Sequence, residues 1–329
     1  MVNPYESVDA NKRKSFVVVS LFSLFIFVAT YFLAQAFAVI QGYEIGGLGY
    51  FGLALIISGL SSFGGYYFSD KIILGISGAR PANGKSDFLF YTVAENLSLA
   101  SGIPVPALYV IDDTAPNAFA TGRDVKHAAI AATRGLLDKL NRTELEGVVA
   151  HELSHIKNYD MLLMSVVSVM VGTVALMADL LLRTRLGRNS DNDDNKLGAV
   201  FLILGLIFAI LSPFVAQLIQ LAISRRREFL ADAGSVMLTR QPQGLISALK
   251  KISADHEPLE VANKATAHLY IANPFKDHAR GGVGWFSGLF LTHPPIEARL
   301  VALNKMIWDS CLQLPKDDFR VIWIYGQER

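Results

Sequence analysis

Cysteine and charge are both scarce in this chain of 329 residues. A single cysteine, Cys311, permits no intrachain disulfide and excludes a cysteine-ligated zinc finger, so the soluble parts need not see an oxidising compartment. Charged residues make up 18% of the chain, and its net charge of +1 comes without a basic stripe, so no nucleic-acid partner is indicated. Apolar sequence is abundant instead, at 52% hydrophobic residues with a mean hydropathy of +0.35.

Four apolar stretches are each long enough to cross a bilayer, which takes about 20 residues. They cover approximately residues 16–40, 48–68, 161–182 and 197–223. The first is too long for a signal peptide and a second follows it closely, which indicates a membrane anchor. Buried core helices are the alternative, but the first two stretches lack the polar stripe that such helices usually keep.

The basic residues near these stretches predict their orientation. Lysine and arginine occupy positions 12–14 before the first stretch and 225–227 after the fourth, whereas residues 41–47 contain neither. We therefore expect a multi-pass protein of the cell inner (plasma) membrane, with both termini and both soluble segments in the cytoplasm. The loop at 183–196 is also basic, which leaves two alternatives: the second hairpin crosses the bilayer, as we predict, or it only dips into it.

The most specific signal is the five-residue motif His151-Glu152-Leu153-Ser154-His155. Histidines four apart on a helix lie on one face, where both imidazoles can bind one cation. The glutamate between them can then act as a general base toward a metal-activated water. The motif predicts a zinc peptidase with Glu152 as its base.

The soluble segments show the pattern of a mixed α/β protein. Helices are predicted at 86–100, from Asn141 through the motif, at 242–252 and at 294–306, and strands at 107–111, 117–121, 128–132 and 320–325. Asn141 with Glu144 forms a capping-box pattern that starts the motif helix. The first helix is expected to bury an apolar stripe formed by Leu89, Phe90, Val93, Ala94 and Leu97.

A catalytic zinc site needs a third protein ligand, and the second hydrophobic hairpin suggests where it lies. An antiparallel hairpin returns the chain to the level that it left, so residues one turn beyond its end should be level with His155. The first acid there is Glu228, and Asp232 shares its helix face. Glu228 is therefore the predicted ligand, and Asp232 the predicted acceptor for a ligand histidine N–H. The alternatives are a glutamate paired with the arginines at 225–227 and an exposed Asp232.

Two further residues allow two interpretations each. His293, before Pro294 and Pro295, is either a donor to the oxyanion of the tetrahedral intermediate or a helix-capping residue. Asn117, after Pro116, either binds the substrate backbone at a strand edge or forms a turn.

Taken together, these residues resemble the HtpX-type membrane zinc peptidases, which are related to the CAAX-prenyl endopeptidases. The resemblance follows nearly the whole chain in order, through the N-terminal hairpin and the second hydrophobic hairpin. It is carried by four motifs: Asn117-Ala118-Phe119-Ala120-Thr121-Gly122, His151-Glu152-Leu153-Ser154-His155, Arg227-Glu228-Phe229-Leu230-Ala231-Asp232 and His293-Pro294-Pro295.

The resemblance implies a gluzincin-like endopeptidase with one Zn²⁺ per chain on His151, His155 and Glu228. It also implies polypeptide substrates, in particular damaged membrane proteins cleaved at the cytoplasmic side in quality control, and it favours a catalytic role for His293. Substrate is then expected as an added β-strand along Asn117, Ala118 and Phe119.

The fold class we predict is α-helical transmembrane plus α+β, with four membrane spans and a zinc peptidase domain assembled from two soluble segments. Its divisions are an N-terminal transmembrane hairpin (1–70), a first catalytic segment (71–160), a second hydrophobic hairpin (161–223) and a second catalytic segment (224–329). Alternative functions are an intramembrane peptidase, a prenyl-protein endopeptidase, and an inactive membrane scaffold or transporter that retains a structural zinc.

Overall fold

The computed structural model describes residues 48–169, 225–261, 269–272 and 294–311, together with Thr266 and short helical stretches between residues 12 and 31. Within these residues the helices are α1 (Leu48–Tyr67), α2 (Ser69–Ile76), α3 (Phe88–Ser101), α4 (Arg134–Lys139), α5 (Arg142–Lys157), α6 (Asp160–Val169), α7 (Arg225–Thr239), α8 (Pro242–Ala254) and α9 (Ile296–Cys311). The strands are β1 (Arg80–Pro81), β2 (Ala107–Ile111), β3 (Ala118–Gly122) and β4 (Ala128–Thr133).

The four described strands form one sheet in the order β1-β2-β4-β3. The central pair β2–β4 is parallel, whereas β1 and β3 pair antiparallel at the two edges. Because side chains alternate across a strand, the sheet has two apolar faces. Helices α3 and α5 pack on one face, with α8 against α5, and α2 and α6 pack on the other. Strand β3 is therefore an edge strand next to α5.

Helix α3 confirms the predicted helix at 86–100, with one correction on its buried face. It ends at Gly102, whose positive φ of 72° completes the left-handed cap. The side chains of Phe90, Val93 and Leu97 are buried as predicted, but Leu89 is exposed. Leu89 lies about 100° around the helix from Phe90, outside the arc that faces the sheet.

The helix that carries the motif begins as its capping box predicts. The Asn141 side chain accepts a hydrogen bond from the Glu144 backbone N–H at 3.0 Å, and the Glu144 carboxylate accepts one from the Asn141 N–H at 2.9 Å. The same carboxylate accepts hydrogen bonds from Lys251 and Ser247 of α8. Glu144 therefore fixes both the start of α5 and its contact with α8.

The second soluble segment confirms both predicted helices with shifted ends. Helix α8 begins at Pro242 as expected and continues to Ala254. Helix α9 begins at Ile296 rather than at Pro294, because a residue before proline is biased away from helical geometry. The predicted strand at 320–325 lies outside the described residues.

The predicted membrane spans are described only in part. Helix α1 coincides with the second stretch and α6 with the beginning of the third, while residues 197–223 lie outside the described part. No single helix among the described residues meets the length and hydropathy expected of a membrane span. The segments Phe51–Tyr67 and Ser69–Ile76 meet it together, as a pair bent by 73°.

Candidate active site

Close packing of α7 against α5 creates the site. Gly234 of α7 lies so near Ser154 of α5 that a methyl group at this glycine would collide with the serine hydroxyl. One residue on, the Ser235 hydroxyl donates a 2.8 Å hydrogen bond to the Gly147 carbonyl oxygen of α5. The two helices are thereby held in fixed register, with Glu228 opposite the paired histidines.

Three buried side chains converge at this contact, namely His151, His155 and Glu228. The two Nε2 atoms lie 3.2 Å apart, because the histidines are one helical turn apart on the same face. The Glu228 carboxylate oxygens lie 3.6 Å from His151 Nε2 and 3.5 Å from His155 Nε2. One ligand atom from each residue falls within 4.8 Å of the others, which is the spacing of donors that share one ion.

The remaining nitrogen of each histidine faces a second carboxylate. His151 Nδ1 lies 3.0 Å from Asp232, and His155 Nδ1 lies 3.2 Å from Asp160. An Nδ1–H that donates to a carboxylate leaves the Nε2 lone pair available, so both histidines present a ligand atom to the shared point. Asp232, which the sequence suggested as the acceptor for a ligand histidine, is the carboxylate beside His151.

The donor set fits a zinc ion. Two imidazoles and one carboxylate form the three-ligand set of a catalytic zinc site, which leaves a coordination position for water. Burial opposes a positive charge on His155, yet Asp160 and Glu228 raise the pKa of this imidazole well above its ordinary value. Burial also opposes a positive charge on His151, but Asp232 and Glu228 outweigh it and raise the pKa of the His151 imidazole above its ordinary value. Surroundings that attract a proton this strongly also attract a metal cation.

Arg299 of α9 holds the outer carboxylate in place. Its guanidinium is fully buried and donates two hydrogen bonds to Asp232, at 2.6 and 2.9 Å. A third hydrogen bond, at 3.0 Å, goes to the Ile271 carbonyl oxygen. Burial favours a neutral Asp232, but Arg299 and His151 lower the pKa of this carboxyl below its ordinary value. Asp232 is therefore a fixed anion behind His151.

Sequence reasoning missed Arg299 and Asp160. Asp160 begins α6 directly after Tyr159, whose φ of 58° breaks the chain away from α5. A signal for Asp160 existed, since an acid that follows His155 across a helix break can fold back onto it. No comparable local signal pointed to Arg299, which reaches the site from a distant helix.

The predicted base and the predicted substrate strand also lie near this cluster. Glu152 is buried on α5 beside His151. Asn117 is buried, and its amide exchanges hydrogen bonds with the Ala272 backbone, donating at 3.1 Å and accepting at 3.3 Å. The Ala118 carbonyl accepts a bond from the Ile271 N–H at 2.9 Å.

Two predicted positions remain, Phe119 and His293. The Phe119 ring packs edge-on against Tyr270 on the sheet face opposite α5. His293 lies outside the described residues.

Comparison with known proteins identifies the family of this chain. A family model described as Peptidase family M48 matches residues 91–307. A Protease HtpX homolog of Dictyoglomus thermophilum is 45% identical over 304 residues, which cover 92% of this chain and 94% of the relative. One from Thermoanaerobacter pseudethanolicus is 43% identical over 92% of this chain and 97% of its own. The crystal structure of S. mikatae Ste24p aligns with a TM-score of 0.45 and 18% identity, over 88% of this chain and 66% of that chain. The chain belongs to peptidase family M48.

Proposed function

We propose that this protein is a membrane-anchored zinc endopeptidase with His151, His155 and Glu228 as its metal ligands. The observation that carries the proposal is the convergence of three buried donors, with both outer histidine nitrogens facing carboxylates. Membership of a peptidase family supports the same conclusion, as do relatives named proteases that align over most of the chain.

The chemistry divides between the metal and Glu152. Bound zinc supplies Lewis-acid activation at neutral pH. We propose that the Glu152 carboxylate, which follows His151 on α5 and is buried, accepts a proton from the attacking water. The same carboxyl then delivers this proton to the leaving amine, which completes hydrolysis of the peptide bond. His293 remains our candidate for an oxyanion donor.

The substrates are polypeptides, and the edge strand β3 is the surface proposed to bind their backbone. Backbone groups that point out from an antiparallel edge alternate along the strand. At Ala118 the outward carbonyl already bonds Ile271, and at Gly122 the N–H donates to Ser165 at 3.3 Å. Residues 271 and 272 already bond this edge, so a substrate strand would have to replace them along Asn117, Ala118 and Phe119 and would make further backbone bonds at Ala120.

Membrane anchoring by four spans is part of the proposal. Large apolar side chains are exposed around α1, as expected of a helix that contacts lipid. The N-terminal helical stretches pack against α1 in antiparallel fashion, with Ser23 against Ser62 and Phe27 against Phe51. These contacts support the N-terminal hairpin at residues 1–70.

The cytoplasmic side and a role in quality control complete the proposal. The basic residues at 12–14 and 225–227 support a cytoplasmic position for both soluble segments. A protease site that faces the cytoplasm and is tethered to the bilayer is suited to damaged membrane proteins, which are the substrates we propose.

The proposal is tested by measuring zinc content and casein cleavage on the detergent-purified protein. Glu152→Gln should retain zinc but lose cleavage by several orders of magnitude, because the ligands remain while proton transfer is lost. Glu146→Gln is the matched control on the same helix and should cleave as the wild type does.

Two results would contradict the proposal. A Glu152→Gln protein that cleaves at more than about a tenth of the wild-type rate would exclude Glu152 as the base. A wild-type protein that binds zinc but cleaves nothing would favour a scaffold with a structural zinc.

A further inference from the structure

The chain bends sharply where α1 ends and α2 begins. The two helices are separated by one residue, Phe68, and their axes differ by 73°. After the bend, α2 buries Ile73 and Leu74 against the sheet face that carries Phe119 and Ala131. Helix α2 therefore lies across one face of the sheet instead of continuing the direction of α1.

The outer side of α2 is apolar although it is exposed. Ile72 is 37% exposed and Ile76 is 49% exposed, and these residues lie one turn apart on the same face. A surface helix of a water-soluble domain normally places polar side chains there. The exposed rings of Tyr67 and Phe68 extend this apolar surface back to the end of α1.

Two cations border the aromatic residues at the bend. Lys71 Nζ lies 5.6 Å from the Phe68 ring centroid. The Arg123 guanidinium lies 5.4 Å from the Tyr67 ring centroid, and it donates a 3.2 Å hydrogen bond to the Tyr67 carbonyl oxygen. Arg123 belongs to the β3–β4 turn, so this turn lies level with the end of α1. Aromatic rings beside lysine and arginine at the end of an apolar helix are typical of a lipid–water boundary.

A second contact lies at the same kind of boundary. Lys12 Nζ is 4.4 Å from the Tyr159 ring centroid, which brings the start of the first apolar stretch to the start of α6. Asp160, the residue after Tyr159, begins α6, and its carboxylate lies 3.2 Å from His155 Nδ1. The histidine cluster is therefore adjacent to the start of α6.

We propose that α2 and the residues at the bend lie in the headgroup layer of the bilayer and hold the sheet against the membrane surface. We call this the interface surface, and it consists of Tyr67, Phe68, Lys71, Ile72, Ile76 and Arg123. Its occupant is lipid, because the surface continues directly from α1, whose exposed side chains are apolar.

This arrangement narrows the substrate class. A site beside the start of α6, on a sheet held against the bilayer, acts on polypeptide segments that lie just outside the membrane, rather than inside it or far from it. That consequence rests on the proposed peptidase function, whereas the position of the interface surface does not.

Spin labels on single cysteines test the position in the full chain, reconstituted in phosphatidylcholine–phosphatidylglycerol vesicles. In a Cys311→Ser background, the labelled variants are Ile72→Cys, Ile76→Cys, Leu55→Cys on α1 and Leu99→Cys on α3. Leu99 is the matched control, because it is an apolar residue, 85% exposed, on the helix that packs against the opposite sheet face. Collision rates with oxygen, which dissolves in lipid, and with a water-soluble nickel chelate report the depth of each label.

The expected result is that labels at 72 and 76 collide more with oxygen than with the nickel chelate, as the label at 55 does, while the label at 99 does the reverse. Labels at 72 and 76 that behave like the one at 99 would overturn the inference. Labels that neither reagent reaches would also overturn it, since another part of the chain or a second copy would then cover α2.

The two proposals fail in distinguishable ways. Zinc content and casein cleavage of the same variants report on the peptidase proposal without reference to depth. If the labels on α2 collide mainly with the nickel chelate while zinc binding and cleavage persist, only the proposed position of the interface surface is wrong. If the label at Leu55 is aqueous, membrane anchoring by α1 is wrong and the interface surface fails with it.

Discussion

At the residue scale, the proposed zinc site depends on a carboxylate from a different helix than its two histidines. Glu228→Ala should lose zinc about as completely as His151→Ala, because each removes one of three ligands. Asp232→Ala should weaken zinc binding about 10–100-fold, as changes to residues behind a ligand do. Metal content after dialysis against graded chelator measures both effects. Asp138→Ala, which removes an exposed acid on α4, is the control, and full zinc affinity in Glu228→Ala would exclude Glu228 as a ligand.

Arg299 offers a second prediction at this scale. Lysine keeps the charge of arginine but lacks the planar fork that bonds Asp232 twice and Ile271 once. Arg299→Lys should therefore retain the fold, as measured by circular dichroism, yet bind zinc roughly tenfold more weakly. Arg142→Lys, an exposed arginine on α5 paired with Glu146, should leave zinc affinity unchanged. A wild-type zinc affinity in Arg299→Lys would show that Asp232 stays in place without the planar guanidinium group.

At the scale of elements, Glu144 connects α5 to α8 through a pH-dependent contact. Burial opposes its charge, but Lys251, Ser247 and the Asn141 N–H together hold the pKa of Glu144 below its ordinary value. A lowered folded-state pKa gives stability that is present above the unfolded pKa and is lost as the pH falls through the folded pKa. Acid should therefore weaken this helix contact.

Glu144→Gln isolates this charge, because glutamine preserves the capping-box geometry. The variant should lower the free energy of unfolding by about 1 kcal/mol at pH 7, since the Lys251 ammonium is partly exposed. The difference from wild type should shrink below about pH 4. Denaturant unfolding followed by circular dichroism in detergent measures it, with Glu146→Gln as the control. A difference that stays constant down to acid pH would rule out the ionised carboxylate as its source.

Elements whose signals are local could be predicted from the sequence, and those fixed by distant contacts could not. The capping box at Asn141 and the left-handed cap at Gly102 are visible in a few neighbouring residues. Glu228 was predicted as a ligand from the level at which an antiparallel hairpin would return, and the structure places it beside both histidines. The burial of Arg299 depends on Asp232 and Ile271, which no periodicity links to it. Leu89 was misplaced because an apolar residue at the margin of a stripe does not itself show which arc is covered.

At the scale of the whole molecule, the shared site predicts where the soluble segments lie. The histidines and Glu228 contribute to one cluster, so residues 71–160 and α7 must be on the same side of the membrane. Single cysteines at Ser86, Ser253 and Ser190, in a Cys311→Ser background, report the sides through an impermeant thiol reagent on sealed vesicles. Ser86 and Ser253 should react from one side and Ser190 from the other.

Two other labelling patterns would contradict part or all of this arrangement. Labelling of all three positions from one side would show that the second hydrophobic hairpin does not cross, while the zinc site remains possible. Labelling of Ser86 and Ser253 from opposite sides would exclude the shared site, and with it the proposed function.

The order of the site residues along the sequence, with Arg299 last, also determines when a newly made protease can first cleave other proteins. The ribosome synthesises the helix that carries His151 and His155 first, then Glu228 and Asp232 after the second hydrophobic hairpin, and Arg299 last. A nascent chain therefore first presents the two histidines and Glu152 without Glu228, and later the three proposed ligands without the arginine that fixes Asp232. Hydrolytic competence is expected only after the chain as far as α9 has been synthesised and folded, which protects neighbouring nascent proteins until then.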